Sequence, residues 1–141
     1  PRIISNQSFS VEAWAYPNNV TVNAAVLSNS TSQILQIGAS NRWQFLDCIS
    51  PGVTVSISAW IHLAGVYYSS NNTCYLYGDG VLRNATLMSN ELTATKITIG
   101  TKNNVAYFNG TIDEVKMFNY SKSPDEINAS AKGVWNDIPL L

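Results

Sequence analysis

Residues 73–88 read Thr73-Cys74-Tyr75-Leu76-Tyr77-Gly78-Asp79-Gly80-Val81-Leu82-Arg83-Asn84-Ala85-Thr86-Leu87-Met88. Gly78-Asp79-Gly80 separates two strand-like runs, and Asp-Gly supplies the positive φ angles of a tight turn. The stretch therefore predicts a β-hairpin of strands 73–77 and 81–88. Asn71-Asn72 and Asn103-Asn104 read as turns of the same sort. Outward from this hairpin, alternation with period two recurs along the chain. In residues 8–16, Phe9, Val11, Ala13 and Ala15 fall on one face and Ser10, Glu12, Trp14 and Tyr16 on the other, before Pro17-Asn18-Asn19 ends the strand. Further strands are expected at 24–27, 32–37, 42–48, 53–59, 60–68, 97–101 and 111–119. Helical signals occur once, over 123 to about 132. Ser123 caps, Pro124 takes the first helical position, Glu126 closes a capping box and Gly133 ends the helix. Short strands with hairpin-length connections exclude a parallel α/β sheet. They predict an all-β fold, a two-sheet antiparallel sandwich with one short C-terminal helix.

The chain has 141 residues, enough for one domain with a real core. Residues 1–133 are assigned to that domain and 134–141 to an apolar C-terminal tail. Hydrophobic residues make up 45% and charged residues only 12%, so the chain is folded but offers few ionic contacts. A formal net charge of -1 provides no basic field, which sets aside nucleic acid and anionic lipid as partners. No apolar run approaches the roughly 20 residues that span a bilayer, so membrane insertion is not expected. Pro1 in place of Met suggests a processed product or an excerpt.

Asn6, Asn19, Asn29, Asn71, Asn84, Asn109, Asn119 and Asn128 each stand two residues before Ser or Thr, without an intervening Pro. Eight acceptor triplets exceed the roughly three expected by chance in so Asn-rich and Thr-rich a chain. They point to an extracellular or cell-surface protein carrying N-linked glycans. Cys48 and Cys74 lack the spacing of a zinc knuckle and leave one disulfide or two buried thiols open.

Catalytic signals are poor. The single histidine, His62, lies among apolar neighbours and reads as structural, and no Gly-x-Ser-x-Gly occurs. Asp113-Glu114 is the one adjacent acidic pair in a strand, and strand neighbours point to opposite faces, so the two are not expected to share a glycosidase site. Asp125-Glu126 belongs to the helix start. For a hard cation such as calcium, Asp113 is the best single ligand candidate, whereas Asp79 reads as a turn former and Asp47 as a solvated strand end. Four tryptophans and seven tyrosines offer stacking surfaces for sugar recognition. Trp43 and Tyr68, which flank polar segments, are the candidates for ligand binding.

Ser8-Phe9-Ser10-Val11-Glu12-Ala13-Trp14, Trp60-Ile61-His62-Leu63-Ala64-Gly65-Val66-Tyr67, Leu76-Tyr77-Gly78-Asp79-Gly80 and Phe108-Asn109-Gly110-Thr111-Ile112-Asp113-Glu114-Val115 resemble, in order and spacing, the concanavalin A-like, laminin G-like jelly-roll domains. Met117-Phe118-Asn119-Tyr120 with Ser123-Pro124-Asp125-Glu126-Ile127 is similar to that family's last strand and closing helix. The resemblance covers residues 8 to about 130. It implies a jelly roll that binds carbohydrate or protein outside the cell, with calcium in many relatives and an acid at the position of Asp113 taking part in some. Catalytic relatives carry a Glu-x-Asp-x-x-Glu strand, which nothing here matches. Relatives also begin with a strand that pairs with the last one, and Pro1 starts after its expected place. An exposed edge beside 111–119 is thus expected, explained by an excerpt, by a strand from the tail 134–141 or by one lent from a neighbouring subunit.

Two functions follow as expectations. The first is a non-enzymatic lectin-like recognition or adhesion module that binds glycan or a protein partner. The second is a glycosylated structural subunit of a surface filament or envelope layer, self-associating through the sheet edge. A hydrolase, the reading set aside, would lose turnover on replacing Glu12 or Glu114.

Overall fold

The computed structural model describes residues 7–29, 32–52, 54–89 and 97–133. Asn6 and the tail 134–141, offered as strand donor, lie outside the described residues. The strands are β1 (Phe9–Pro17), β2 (Ala25–Ser28), β3 (Gln33–Gly38), β4 (Arg42–Phe45), β5 (Cys48–Ile49), β6 (Ile61–Tyr68), β7 (Thr73–Gly78), β8 (Val81–Leu87), β9 (Thr98–Ile99) and β10 (Gly110–Phe118), followed by the helix α1 (Pro124–Ala131). They form two five-stranded antiparallel sheets, ordered β10-β1-β6-β7-β8 and β5-β4-β3-β2-β9.

The alternation in β1 sets the core. Phe9, Val11, Ala13 and Ala15 are buried on the inner face, and the register sets Phe9 opposite Tyr67 and Ala13 opposite Leu63. From the second sheet, Leu27, Leu35, Ile37 and Phe45 close the same cluster. Phe9 meets the Phe45 ring edge-on, with centroids 6.1 Å apart. Gly65 makes room for that packing, because a Cβ there would run into the Phe45 ring. The β7–β8 hairpin closes through Asp79 and Gly80, at φ 50° and 80°, with Gly78 opposite Val81. Two left-handed residues in a two-residue loop are what the twist of paired strands favours. Asn72, Asn103 and Asn104 also take positive φ, and Asn72 ties its turn down by accepting from the Tyr67 hydroxyl and donating to the Met88 carbonyl.

Three expected strands differ. The run 42–48 is broken by a two-residue turn at Leu46-Asp47, with Phe45 opposite Cys48 and Leu46 at φ 52°. The Asp47 carboxylate, rather than being merely solvated, accepts from the Ser89 N–H and hydroxyl. Within 53–59, residues 54–59 form no ladder. Val55 is buried and donates its N–H to Asn41, Ser58 donates to Pro17, and Ile57 is left exposed, so the alternation is used once and then abandoned. The run 97–101 shrinks to β9, ended by Gly100 at φ 80°.

β10 carries a bulge. Glu12 lies opposite Lys116 but Trp14 opposite Asp113, so an extra residue is accommodated at Glu114, whose φ is 48°. Ile112, Val115 and Met117 consequently all pack on the core, and Asp113 and Glu114 are both exposed. The expectation of opposite faces, valid for a regular strand, fails at a bulge. At the helix, the capping box is complete: the Ser123 hydroxyl accepts from the Glu126 N–H at 3.2 Å, and the Glu126 carboxylate accepts from the Ser123 N–H at 3.1 Å. α1 covers part of the outer face of the first sheet, burying Ile127 against Ala64, Val66 and Tyr77. Cys48 of β5 and Cys74 of β7 are joined by a disulfide that ties the two sheets together.

Candidate functional site

A cleft of about 230 Å³ opens where the connection 50–60 crosses from the second sheet to the first. Leu63 and Leu76 form its floor, and Trp60, Arg83, Asp79, Thr54 and Ser56 line its rim. Trp60, 47% exposed just before β6, leans on Tyr16 with ring centroids 5.4 Å apart. Its position follows from Ser58, whose N–H bond to Pro17 brings the connection against the end of β1. Arg83 donates to the Gly78 carbonyl at 3.3 Å, which holds the guanidinium over the hairpin end. Asp79 is fixed by accepting the His62 N–H at 2.9 Å. The arrangement combines one exposed aromatic face, a guanidinium, a carboxylate and two hydroxyls on an apolar floor, which is chemistry for binding a polyhydroxylated ligand by stacking and hydrogen bonds.

The two aromatic candidates are not brought together. Trp43, expected at the surface, is only 6% exposed and packs in the core against Phe108, from where it also lines the cleft. Tyr68 is half-buried on the outer face of the first sheet against Tyr75, beside the helix cluster. Flanking polar segments selected both, but burial was decided by the opposite sheet for Trp43 and by α1 for Tyr68. Trp60, Arg83 and Asp79 were not singled out as binding residues. The signal available was a tryptophan on the boundary between a polar connection and an apolar strand.

Asp113 is exposed, and its Oδ1 accepts from the Glu114 N–H at 2.8 Å, so it serves the bulge. Among the described residues no three His, Cys, Asp or Glu side chains cluster as a metal site. Among the acceptor asparagines, Asn19, Asn71, Asn109 and Asn119 are exposed. Asn29 is 3% exposed, its side-chain oxygen accepting from the Ser32 N–H. The Asn84 amide nitrogen, the atom a glycan would use, donates to the Ile49 carbonyl. Asn128 is half-buried within α1.

A family model described as the concanavalin A-like lectin/glucanases superfamily matches residues 2–128. The chain belongs to that superfamily. Its two sheets are accordingly a concanavalin A-like jelly roll. The domain is similar to domain 4 of AbnA, an extracellular GH43 arabinanase from Geobacillus stearothermophilus, solved with arabinotriose, at a TM-score of 0.69 and 19% identity over 92% of this chain and 68% of that one. It is also similar to a protein from Bacteroides ovatus, provisionally named a carbohydrate binding protein, at a TM-score of 0.71 and 15% identity over 88% and 40% of the two chains. A heptameric SAP-like pentraxin from Limulus polyphemus aligns at 0.64 and 8% identity, over 92% and 74%. At such identities the likeness is one of fold. No curated protein matches the sequence.

On the outer face of this concanavalin A-like domain lies a second polar group, which the sequence did not announce. Glu12, 2% exposed, accepts from Lys122 Nζ at 2.9 Å and stands 3.6 Å from His62 Nε2. Burial lowers the His62 pKa below its ordinary 6.5, against the opposing pull of Glu12 and Asp79, so the imidazole is neutral at neutral pH. Because the unfolded chain takes up this proton more readily than the folded one, stability is fully present above pH 6.5 and is lost as pH falls from there through the depressed folded pKa. Urea midpoints are expected to be flat above pH 6.5 and to fall below it. The folded pKa of Glu126 is lowered by its hydrogen bond to the Ser123 backbone, so its contribution is lost only at more acid pH, below its ordinary 4.5. A His62→Gln variant that keeps the wild-type slope between pH 6.5 and 5 would remove His62 as the cause.

Proposed function

We propose that this chain is a non-catalytic carbohydrate-binding module of an exported protein, and that the cleft beside Trp60 is its sugar site. The observation that carries the reading is the half-exposed Trp60 indole set over an apolar floor and ringed by Arg83, Asp79, Thr54 and Ser56. Hydrolysis of a glycoside calls for two carboxylates across the bond, and among the described lining residues Asp79 is the one acid, with an oxygen already bound to the His62 N–H. Relatives of the same fold that are named for carbohydrate binding or solved with arabinotriose support the reading. A Cys48–Cys74 bridge and four exposed acceptor asparagines favour an oxidising, extracellular setting.

Calorimetric titration with neutral oligosaccharides, arabinotriose among them, is expected to give saturable binding. Trp60→Ala is expected to weaken it about tenfold or more while leaving the far-UV spectrum unchanged. Absence of saturable binding across arabinan, glucan, mannan and galactan fragments at millimolar concentration would refute the proposal. A building-block role is favoured by one observation: β10, at the margin of its sheet, pairs only with β1 among the described residues. It predicts polymers in sedimentation at micromolar concentration, where a recognition module stays monomeric.

A further inference from the structure

The outer face of β1 carries Trp14 and Tyr16, and Trp60, just before β6, lies across the sheet beside Tyr16. Trp14 stands opposite His62 in the register and meets its ring edge-on, with centroids 5.1 Å apart. Tyr16, two residues on and so about 7 Å along the strand, leans on Trp60. The register with β10 sets Asp113 beside Trp14 and Thr111 beside Tyr16 on the same face. Both neighbours are exposed, and Trp14 and Tyr16 are half-buried. α1 packs on Ala64, Val66 and Tyr77 of the neighbouring strands β6 and β7. Trp60 belongs to both places, since it lines the cleft and completes the strip.

We infer that the strip Trp60–Tyr16–Trp14, flanked by Thr111 and Asp113, is a second binding surface continuous with the cleft, and that it holds successive units of a neutral, extended polysaccharide whose chain end occupies the cleft. This rests on the saccharide reading of the cleft and deepens it from a sugar to a chain. The ligand class follows from the chemistry. Two rings on β1 and a third beside them before β6 offer repeated stacking faces to a ligand that itself repeats, and the exposed hydroxyl of Thr111 and carboxylate of Asp113 accept from sugar hydroxyls beside them. No basic side chain stands among these five residues and the Asp113 carboxylate repels an anionic polymer along the strip, so the one cation such a ligand meets among the described lining residues is Arg83 in the cleft, which already donates to the Gly78 carbonyl. The cleft alone, about 230 Å³, is small for a long ligand, so most of a chain must lie elsewhere.

The test compares trisaccharides with hexa- to octasaccharides of the best-binding panel member, using the full chain. Longer fragments are expected to bind about tenfold more tightly. Asp113→Ala is expected to remove that gain while leaving trisaccharide affinity unchanged, Tyr16→Ala to lower affinity at every length because Trp60 leans on Tyr16, and the Trp14 indole N–H resonance of the unmodified protein is expected to shift only with the long ligands. The resonance keeps the test valid if a Trp14 or Tyr16 variant folds poorly. Equal affinity at all lengths with a still Trp14 signal overturns the strip and leaves the cleft reading standing, whereas no binding by any fragment overturns both.

Discussion

Replacing Lys122 by Met is expected to lower the stability of the domain by about 3–5 kcal/mol, the cost of leaving a buried charge without its partner. Lys122 Nζ lies 2.9 Å from Glu12 Oε2 and 3.0 Å from the Ser130 hydroxyl, and 4.4 Å from the centre of the Phe118 ring. Its side chain is 8% exposed and that of Glu12 only 2%. The Lys122 N–H also donates to the Ser10 hydroxyl, which donates in turn to the Tyr120 carbonyl, so this one residue fastens the link between β10 and α1 to the face of β1. Removing the ammonium strands the Glu12 carboxylate beside a neutral imidazole. Lys122 is among the groups that lower the His62 pKa and Glu12 among those that raise it, so the variant shifts that pKa upward. Consequently the deficit against wild type narrows on acidification, as His62 takes the proton and becomes the new partner of Glu12. The double change Glu12→Gln with Lys122→Met recovers most of the loss, because neutral groups of similar shape need no counter-charge. Urea unfolding at pH 7.5 and 5.5 checks all three statements. A single-variant cost below about 1 kcal/mol, or a double variant no better than the single, would show the pair to be incidental.

What the sequence disclosed and what it withheld divide by range. The Asp79-Gly80 turn, the Ser123 capping box and the two faces of β1 are written in neighbours a few residues apart, and local sterics and hydrogen bonds settle them. The turn at Leu46-Asp47 is equally short, but it places a leucine at positive φ, which no local preference announces. It is held by a core site for Leu46 and by Ser89 binding Asp47, both supplied from elsewhere in the chain. The bulge at Glu114 has the same character. It keeps Ile112, Val115 and Met117 all facing inward, a demand of the opposing sheet. Glu12 and Lys122 lie 110 residues apart, and the alternation that put Glu12 on an outer face implied solvent there, whereas α1 and its lead-in cover it. The site follows the same rule. Aromatic richness offered stacking surfaces, but which ring meets solvent is fixed by the packing of whole sheets, so Trp43 is buried and Trp60 is not.

The same reasoning makes the disulfide a determinant of the cleft. Cys48 sits in the two-residue strand β5, and the bridge to Cys74 crosses from one sheet to the other. Downstream of it, residues 54–59 reach Trp60 without a ladder, held by single backbone bonds to Asn41 and Pro17. That connection is a wall of the cleft and the support of its tryptophan. With the two cysteines 26 positions apart in the sequence, closing the loop restricts the unfolded chain by about 3.5 kcal/mol. Cys48→Ser with Cys74→Ser is expected to lose roughly that much stability, read from urea midpoints. Binding is expected to weaken more than the loss of folded protein accounts for, because β5 is the margin of its sheet and frays first once untied. Hydrogen exchange separates the two effects: faster exchange confined to residues 48–60 accompanies the loss of affinity if the bridge braces the wall. Uniformly faster exchange with unchanged affinity of the folded fraction would reduce the bridge to a global staple. The unmodified protein gains the mass of two hydrogens on reduction, and a protein whose mass is unchanged by reductant would end the argument at its first step.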